Sequence, residues 1–284
     1  MSQDLVSLYN ELCREVAVEE ERIGEMLDSD VYGVSGLLER PGRTWSSGMK
    51  SLRSEVVVPV YECYLGCELP REVYRSLVGF DAYINSLDDI IDTRDLDKQL
   101  KVELTANIAF SGMMAFIELD EMNSQIRKMT IKYLSELFQI PMVERKTIEQ
   151  IQRTQDTQKI IEQSTKLYRY RARDIDWFSK LPAQKLDIKN QNKIIKDLRN
   201  YRAAELTIKD IKDIPRDLKD QTTTPIIEIT KKHPQPEKTI QKIHKNLKNY
   251  SNSKYKKILK NKTPTQKIPQ LLQKNKKHLK NHNN

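Results

Sequence analysis

The chain has 284 residues, enough to bury a substantial core in one large domain or two small ones. Its 49 Lys and Arg outnumber 40 Asp and Glu for a net charge of +9, but residues 231–284 hold sixteen lysines against one acid, Glu237, which leaves residues 1–230 at −6. All four histidines (His233, His244, His278 and His282) also lie in that last stretch, which excludes Ser-His or Cys-His nucleophilic chemistry from the first 232 residues.

The apolar positions Leu5, Leu8, Leu12, Val16 and Val18 predict a helix at the start of the chain. Arg40 and Arg43 flank Pro41-Gly42, a turn ahead of Gly48-Met49-Lys50-Ser51-Leu52-Arg53. Within that segment Lys50 and Arg53 share a helix face at i, i+3 and could grip a diphosphate. The run Val56-Val57-Val58-Pro59-Val60 is far below the ~18 residues that a membrane span needs. Three cysteines, Cys13, Cys63 and Cys67, and an N-terminus without a secretory signal predict a cytoplasmic protein, with Cys63 and Cys67 as buried core thiols.

Tyr74, Leu77, Val78, Phe80, Ala82, Tyr83, Ile84 and Leu87 predict a mostly apolar helix that runs into Asp88-Asp89-Ile90-Ile91-Asp92. Asp88 and Asp92 stand one above the other at i, i+4, with Asp89 beside them, so three like charges crowd an otherwise apolar helix. Such a cluster wants a cation, and Mg²⁺ favours one or two carboxylates plus phosphate oxygens. A further helix is predicted around Ile108, Met113, Met114, Phe116 and Ile117. Gly112 is the last of the eight glycines, so the remaining 172 residues lack the residue that tight hairpins need, and the fold class is all-α.

In the second half, Arg169, Arg171 and Arg173 alternate and cannot share one helix face, while Asp174 and Asp176 read as salt-bridge partners for neighbouring arginines. Asp210 and Asp213 form a second acidic pair at i, i+3, followed by Asp217 and Asp220, and Pro215 is expected to disturb or end their helix. Residues 217–225 read as a polar loop before another helix, since Thr224 precedes a proline. The lysine-rich stretch 231–284 reads as a helical or solvated tail, open to attraction by an anionic membrane but poor in rings for stacking on nucleic acid, which is not an expected partner.

In order and spacing these motifs resemble the trans-isoprenyl diphosphate synthase family, from about Arg40 to Pro225. Asp88-Asp89-Ile90-Ile91-Asp92 matches the family's first DDxxD motif in full, and Gly48 to Arg53 looks like its Gly-Gly-Lys-Arg-Leu-Arg segment. Lys209-Asp210-Ile211-Lys212-Asp213 is similar to the second DDxxD with lysine in place of the first aspartate, and Thr223-Thr224-Pro225 is similar to the Thr-Leu-Pro that follows it. The resemblance implies one all-α domain over residues 1–284, a class I isoprenoid synthase bundle around a central cavity, and a homodimer. It also implies Mg²⁺-dependent condensation of an allylic prenyl diphosphate with isopentenyl diphosphate.

In such enzymes more than one Mg²⁺ bridges the two acidic motifs to the diphosphate, here through Asp88, Asp92, Asp210 and Asp213, with Asp89 completing the catalytic set. Arg43, Lys50, Arg53, Arg94 and Arg171 are the implied diphosphate contacts. Arg171 falls near the family's Lys-Thr pair. Tyr83, five residues before Asp88, stands where a bulky side chain limits the product, here to about C15–C20 by analogy, or else packs in the core. The sequence departs from the pattern at several points. The Arg-Arg-Gly after the first motif is absent, Asp81 replaces a frequent histidine, Glu205-Leu206 replaces a Phe-Gln pair, and Lys209 brings a positive charge to the second motif. Two other readings stay open: a terpene synthase or other prenyl-diphosphate lyase, and a weakly active partner subunit that binds prenyl diphosphate.

Overall fold

A computed structural model describes residues 53–74, 76–77, 80–81, 83–84, 124–137, 139–189, 191–219, 221–250, 254–262 and 268–281. Among them every regular element is helical, as the exhaustion of glycine after Gly112 predicts. The chain forms two compact units, residues 1–129 with 184–187, and residues 130–183 with 188–284.

In the first unit, α1 (Ser54–Leu65) buries Val56, Val57, Val58, Val60 and Tyr61. It ends at Gly66, whose φ of 76° is the left-handed conformation that a side chain disfavours; its N–H closes the helix on the Glu62 carbonyl at 2.7 Å. The described residues from 71 to 84 are again helical and bury Val73, Tyr74, Leu77, Phe80 and Ile84 along one face. The two helices run antiparallel, because Asp81 bonds the start of α1 while the Tyr74 hydroxyl donates to Glu62 near its end. Cys63 and Cys67 are both exposed, which corrects the expectation of core thiols. Cys63 is about 200° around the helix from the fully buried Tyr61, and Cys67 follows the Gly66 cap.

In the second unit, α2 (Ser124–Leu137, which enters it at Thr130), α3 (Ile140–Arg153) and α4 (Thr157–Arg171) lead through a 3-10 turn, Ala172–Ile175, into α5 (Asp176–Lys185). Then come the 29-residue α6 (Gln191–Lys219), α7 (Pro225–Lys232), α8 (Pro236–Leu247), α9 (Lys256–Lys262) and α10 (Ile268–Asn281). Asp156 caps α4 by accepting from the N–H groups of Gln158 and Lys159, and Thr224 caps α7 from an extended backbone, as its place before proline predicts. The core joins Ile160, Ile161 and Tyr168 of α4 to Ala203, Ala204, Ile211 and Ile214 of α6. Ile240, Ile243 and Leu247 of α8 and Ile268 and Leu272 of α10 complete it. The described helices of the lysine-rich C-terminal stretch are therefore built into the core through an isoleucine and leucine face, with Lys238, Lys242, Lys245 and Lys274 exposed.

Pro215 does not end α6, which runs on to Lys219. A proline cannot donate to the carbonyl four residues earlier, here that of Ile211. Asn275 of α10, itself buried, donates its side-chain amide to that carbonyl at 2.6 Å and replaces the missing bond. Beyond Lys219, Gln221 takes a φ of 53°; its N–H reaches the Leu218 carbonyl at 3.3 Å, and the Thr222 N–H reaches that of Asp217 at 2.7 Å. This is a Schellman closure made without glycine. Asp187, with φ of 47°, ends α5 in the same conformation.

Candidate functional site

On α6, 3.6 residues per turn brings Asp210, Asp213 and Asp217 onto one face. Asp210 and Asp217 are buried and Asp213 half-buried. Three carboxylates so placed repel one another, and arginines from two helices offset the charge. Arg216 of α6 donates to Asp213 at 2.9 Å and to Asp217 at 3.5 Å. Arg171, the last residue of α4, grips Asp210 with both ends of its guanidinium, Nη1 to Oδ2 at 2.7 Å and Nη2 to Oδ1 at 3.2 Å. Tyr168, one turn earlier on α4, donates its hydroxyl to the same Oδ2 at 2.8 Å, and Glu144 of α3 reaches Arg171 at 3.4 Å. Three helices thus meet in one polar network.

The charges follow from this packing. Burial works against the Arg171 cation, but the carboxylates of Asp210 and Glu144 outweigh it and hold the guanidinium more firmly protonated than usual. Burial, then the Asp210 charge, raises the Tyr168 phenol, so it stays a hydrogen-bond donor. Burial pushes the Asp217 carboxyl up to about 6, with Arg216 pulling down and Asp210 and Asp213 pushing up. The upward push from Asp210 and Asp213 agrees with their place on the same face of α6. Lys209 is exposed, so the positive charge beside Asp210 comes from Arg171, 39 positions away in sequence.

The other anticipated site residues divide into two groups. Arg43, Lys50, Asp88, Asp89, Asp92 and Arg94 lie outside the described residues. Arg53 is buried in the first unit, where its Nη1 meets Asp81 Oδ1 at 3.4 Å. Ser54 N–H and Oγ donate to the other oxygen of Asp81 at 2.9 and 2.5 Å. Burial raises the Asp81 carboxyl against the pull of Arg53 and Ser54. Tyr83 is half-buried, with its ring 5.8 Å from that of Phe80.

The alternating arginines go to different partners, as their spacing predicts. Arg169 donates to the Asn246 carbonyl at 3.2 Å, and Arg173 lies 3.7 Å from Glu136. Asp174 and Asp176 are salt-bridged by Arg202 and Arg199 of α6 rather than by the arginines beside them in sequence, and Lys180 of α5 adds a contact to Asp176 at 3.8 Å. Glu205 joins the first of these pairs through Arg202 at 2.8 Å. Sequence reasoning passed over Tyr168 and Glu144; the i, i+3 spacing of Tyr168 and Arg171 on one helix is the signal for the first, whereas Glu144 had none.

Among the described residues no group of three or more His, Cys, Asp or Glu side chains stands close enough to hold a metal ion. Asp210 already accepts from Arg171 and Tyr168, so a cation would compete with the guanidinium for its oxygens. Comparison with protein-family models, with curated proteins and with solved structures finds no match.

Proposed function

We propose that the chain is a Mg²⁺-dependent prenyltransferase of the class I isoprenoid synthase type, joining an allylic prenyl diphosphate to isopentenyl diphosphate with a short-chain product. The observation that carries this reading is the acidic face of α6, where Asp210, Asp213 and Asp217 stand one turn apart with Arg171 and Arg216 bonded to them. Asp88-Asp89-Ile90-Ile91-Asp92 supplies the second carboxylate cluster in sequence. When bound, Mg²⁺ neutralises diphosphate charge as a Lewis acid. Arg171 gives the site a second function. Its guanidinium fork fits phosphate oxygens as well as carboxylate, so an allylic diphosphate competes with Asp210 for it, and substrate entry releases the carboxylate.

The bidentate Arg171–Asp210 pair favours a second reading, a prenyl-diphosphate-binding partner subunit with little turnover of its own. Breaking a buried pair costs about 3–5 kcal/mol unless the new contacts compensate. One set of incubations separates these readings from lyase chemistry: purified protein and Mg²⁺ with dimethylallyl, geranyl or farnesyl diphosphate, each with and without isopentenyl diphosphate. A longer diphosphate formed only with isopentenyl diphosphate is the expected product. A hydrocarbon or alcohol formed without it would instead mark a lyase, and binding without product the partner subunit.

A further inference from the structure

The second unit holds a cleft of about 1440 Å³ on the other side of α4 from Asp210. Arg169 and Arg171 are two residues apart, about 200° around the helix, so one helix serves two separate places. Glu162, Thr165, Lys166 and Arg169 recur at i, i+3, i+4 and i+7 and make one wall of the cleft. Gln241 and Lys245 of α8, which packs on α4, line it as well, with Lys248 after that helix and Lys260 of α9. The Arg169 bond to the Asn246 carbonyl ties α4 to α8.

Among the described residues of the lining, five cationic side chains meet one carboxylate, Glu162. That carboxylate already accepts from Gln158 at 2.9 Å. Among the described residues Lys166, Lys245 and Lys260 make no ion pair. Like charges gathered in a concavity focus a positive potential that a single-sign flat surface does not. We propose that this cleft binds a ligand carrying two or more phosphoryl groups, either free in solution or borne on a lipid headgroup.

The local electrostatics agree: burial and the charge of Lys260 lower the Lys248 ammonium below its ordinary value, a cost that a bound anion removes. Among the described residues of the lining Tyr250 is the one aromatic ring, so base stacking along a nucleic acid strand has little to rest on. The amides of Gln241, Asn249 and Asn261 supply neutral donors and acceptors beside the charges. This inference is independent of the prenyl-diphosphate reading, since it uses neither Asp210 nor Arg171.

The test is calorimetric titration of the full chain with inorganic triphosphate at low ionic strength. Saturable binding near one per chain is expected. Lys245→Gln and Lys260→Gln should each weaken it about tenfold, since a charge-assisted contact is worth roughly one such factor; both side chains are exposed, so the fold should survive. The exposed Lys193 and Lys196 of α6 are the control, and their glutamine variants should bind as the parent does. Sedimentation with phosphatidylglycerol vesicles that triphosphate competes away, and that the cleft variants lose, would assign the same chemistry to a lipid headgroup. Absence of saturable binding, equal weakening by the Lys193 and Lys196 variants, or RNA binding that triphosphate does not displace would overturn the proposal.

Discussion

Acidifying the protein from pH 7 to pH 4 sets two buried groups of the second unit against each other. His244 of α8 is 0% exposed, and burial, then the Lys248 charge, lowers it to about 4 despite the nearby Ala204 carbonyl. Its value in an unfolded chain is 6.5. Between those limits the unfolded chain takes a proton that the folded one refuses, so stability falls as pH falls, by about 3 kcal/mol once pH is below 4. Asp217 has the opposite sign. Its carboxyl rises from 3.8 to about 6, so the folded protein takes the proton first and gains on the order of 3 kcal/mol over nearly the same window.

The two effects oppose each other in the parent, so its pH dependence alone reports neither. They are exposed by His244→Leu and Asp217→Asn, each compared with the parent by urea unfolding in metal-free buffer at pH 7, 5.5 and 4. Groups common to both proteins drop out of each difference. Relative to the parent, His244→Leu should gain about 3 kcal/mol between pH 7 and pH 4, and Asp217→Asn should lose about as much. Differences that do not vary with pH would refute the assignment of either group as buried in its less favoured charge state.

Further expectations concern α6 and its partners. Asn275→Leu should cost about 1–3 kcal/mol by leaving the Ile211 carbonyl without a donor; in a Pro215→Ala background the restored N–H should remove most of that cost, which a double-mutant unfolding cycle measures. Gln221→Gly should raise stability by about 0.5–1 kcal/mol in urea unfolding, because glycine adopts the left-handed C-cap without a side-chain clash. Arg171→Met should destabilise by about 3–5 kcal/mol by stranding Asp210, while Arg171→Met with Asp210→Leu should recover most of the loss.

Local patterns made much of this fold legible. The apolar spacing and the absence of glycine after Gly112 indicated helices, and Thr224-Pro225 marked a helix start that the structure has. What escaped depended on contacts distant in sequence. Whether Pro215 would disturb its helix or end it was not legible, because the donor that replaces the missing bond, Asn275, stands on α10. Residues 231–284 read as a helical or solvated tail; sixteen lysines overshadow the isoleucines and leucines that α8 and α10 bury in the core. Cys63 and Cys67 were read by residue type, whereas their exposure follows from the face of α1 and the Gly66 cap. At the candidate site the sequence marked Asp210, Asp213 and Arg171 separately; that two of them hold one another is a property of how α4 packs on α6.

The claim that the two acidic clusters serve a prenyl diphosphate rests most directly on Asp88. With Mg²⁺, labelled isopentenyl diphosphate and farnesyl or geranyl diphosphate, the parent should incorporate label into a longer prenyl diphosphate, and Asp88→Ala should lower that rate by at least a hundredfold, a change of about 3 kcal/mol in activation free energy. Unchanged incorporation by Asp88→Ala, or none by the parent with any allylic diphosphate, would contradict it.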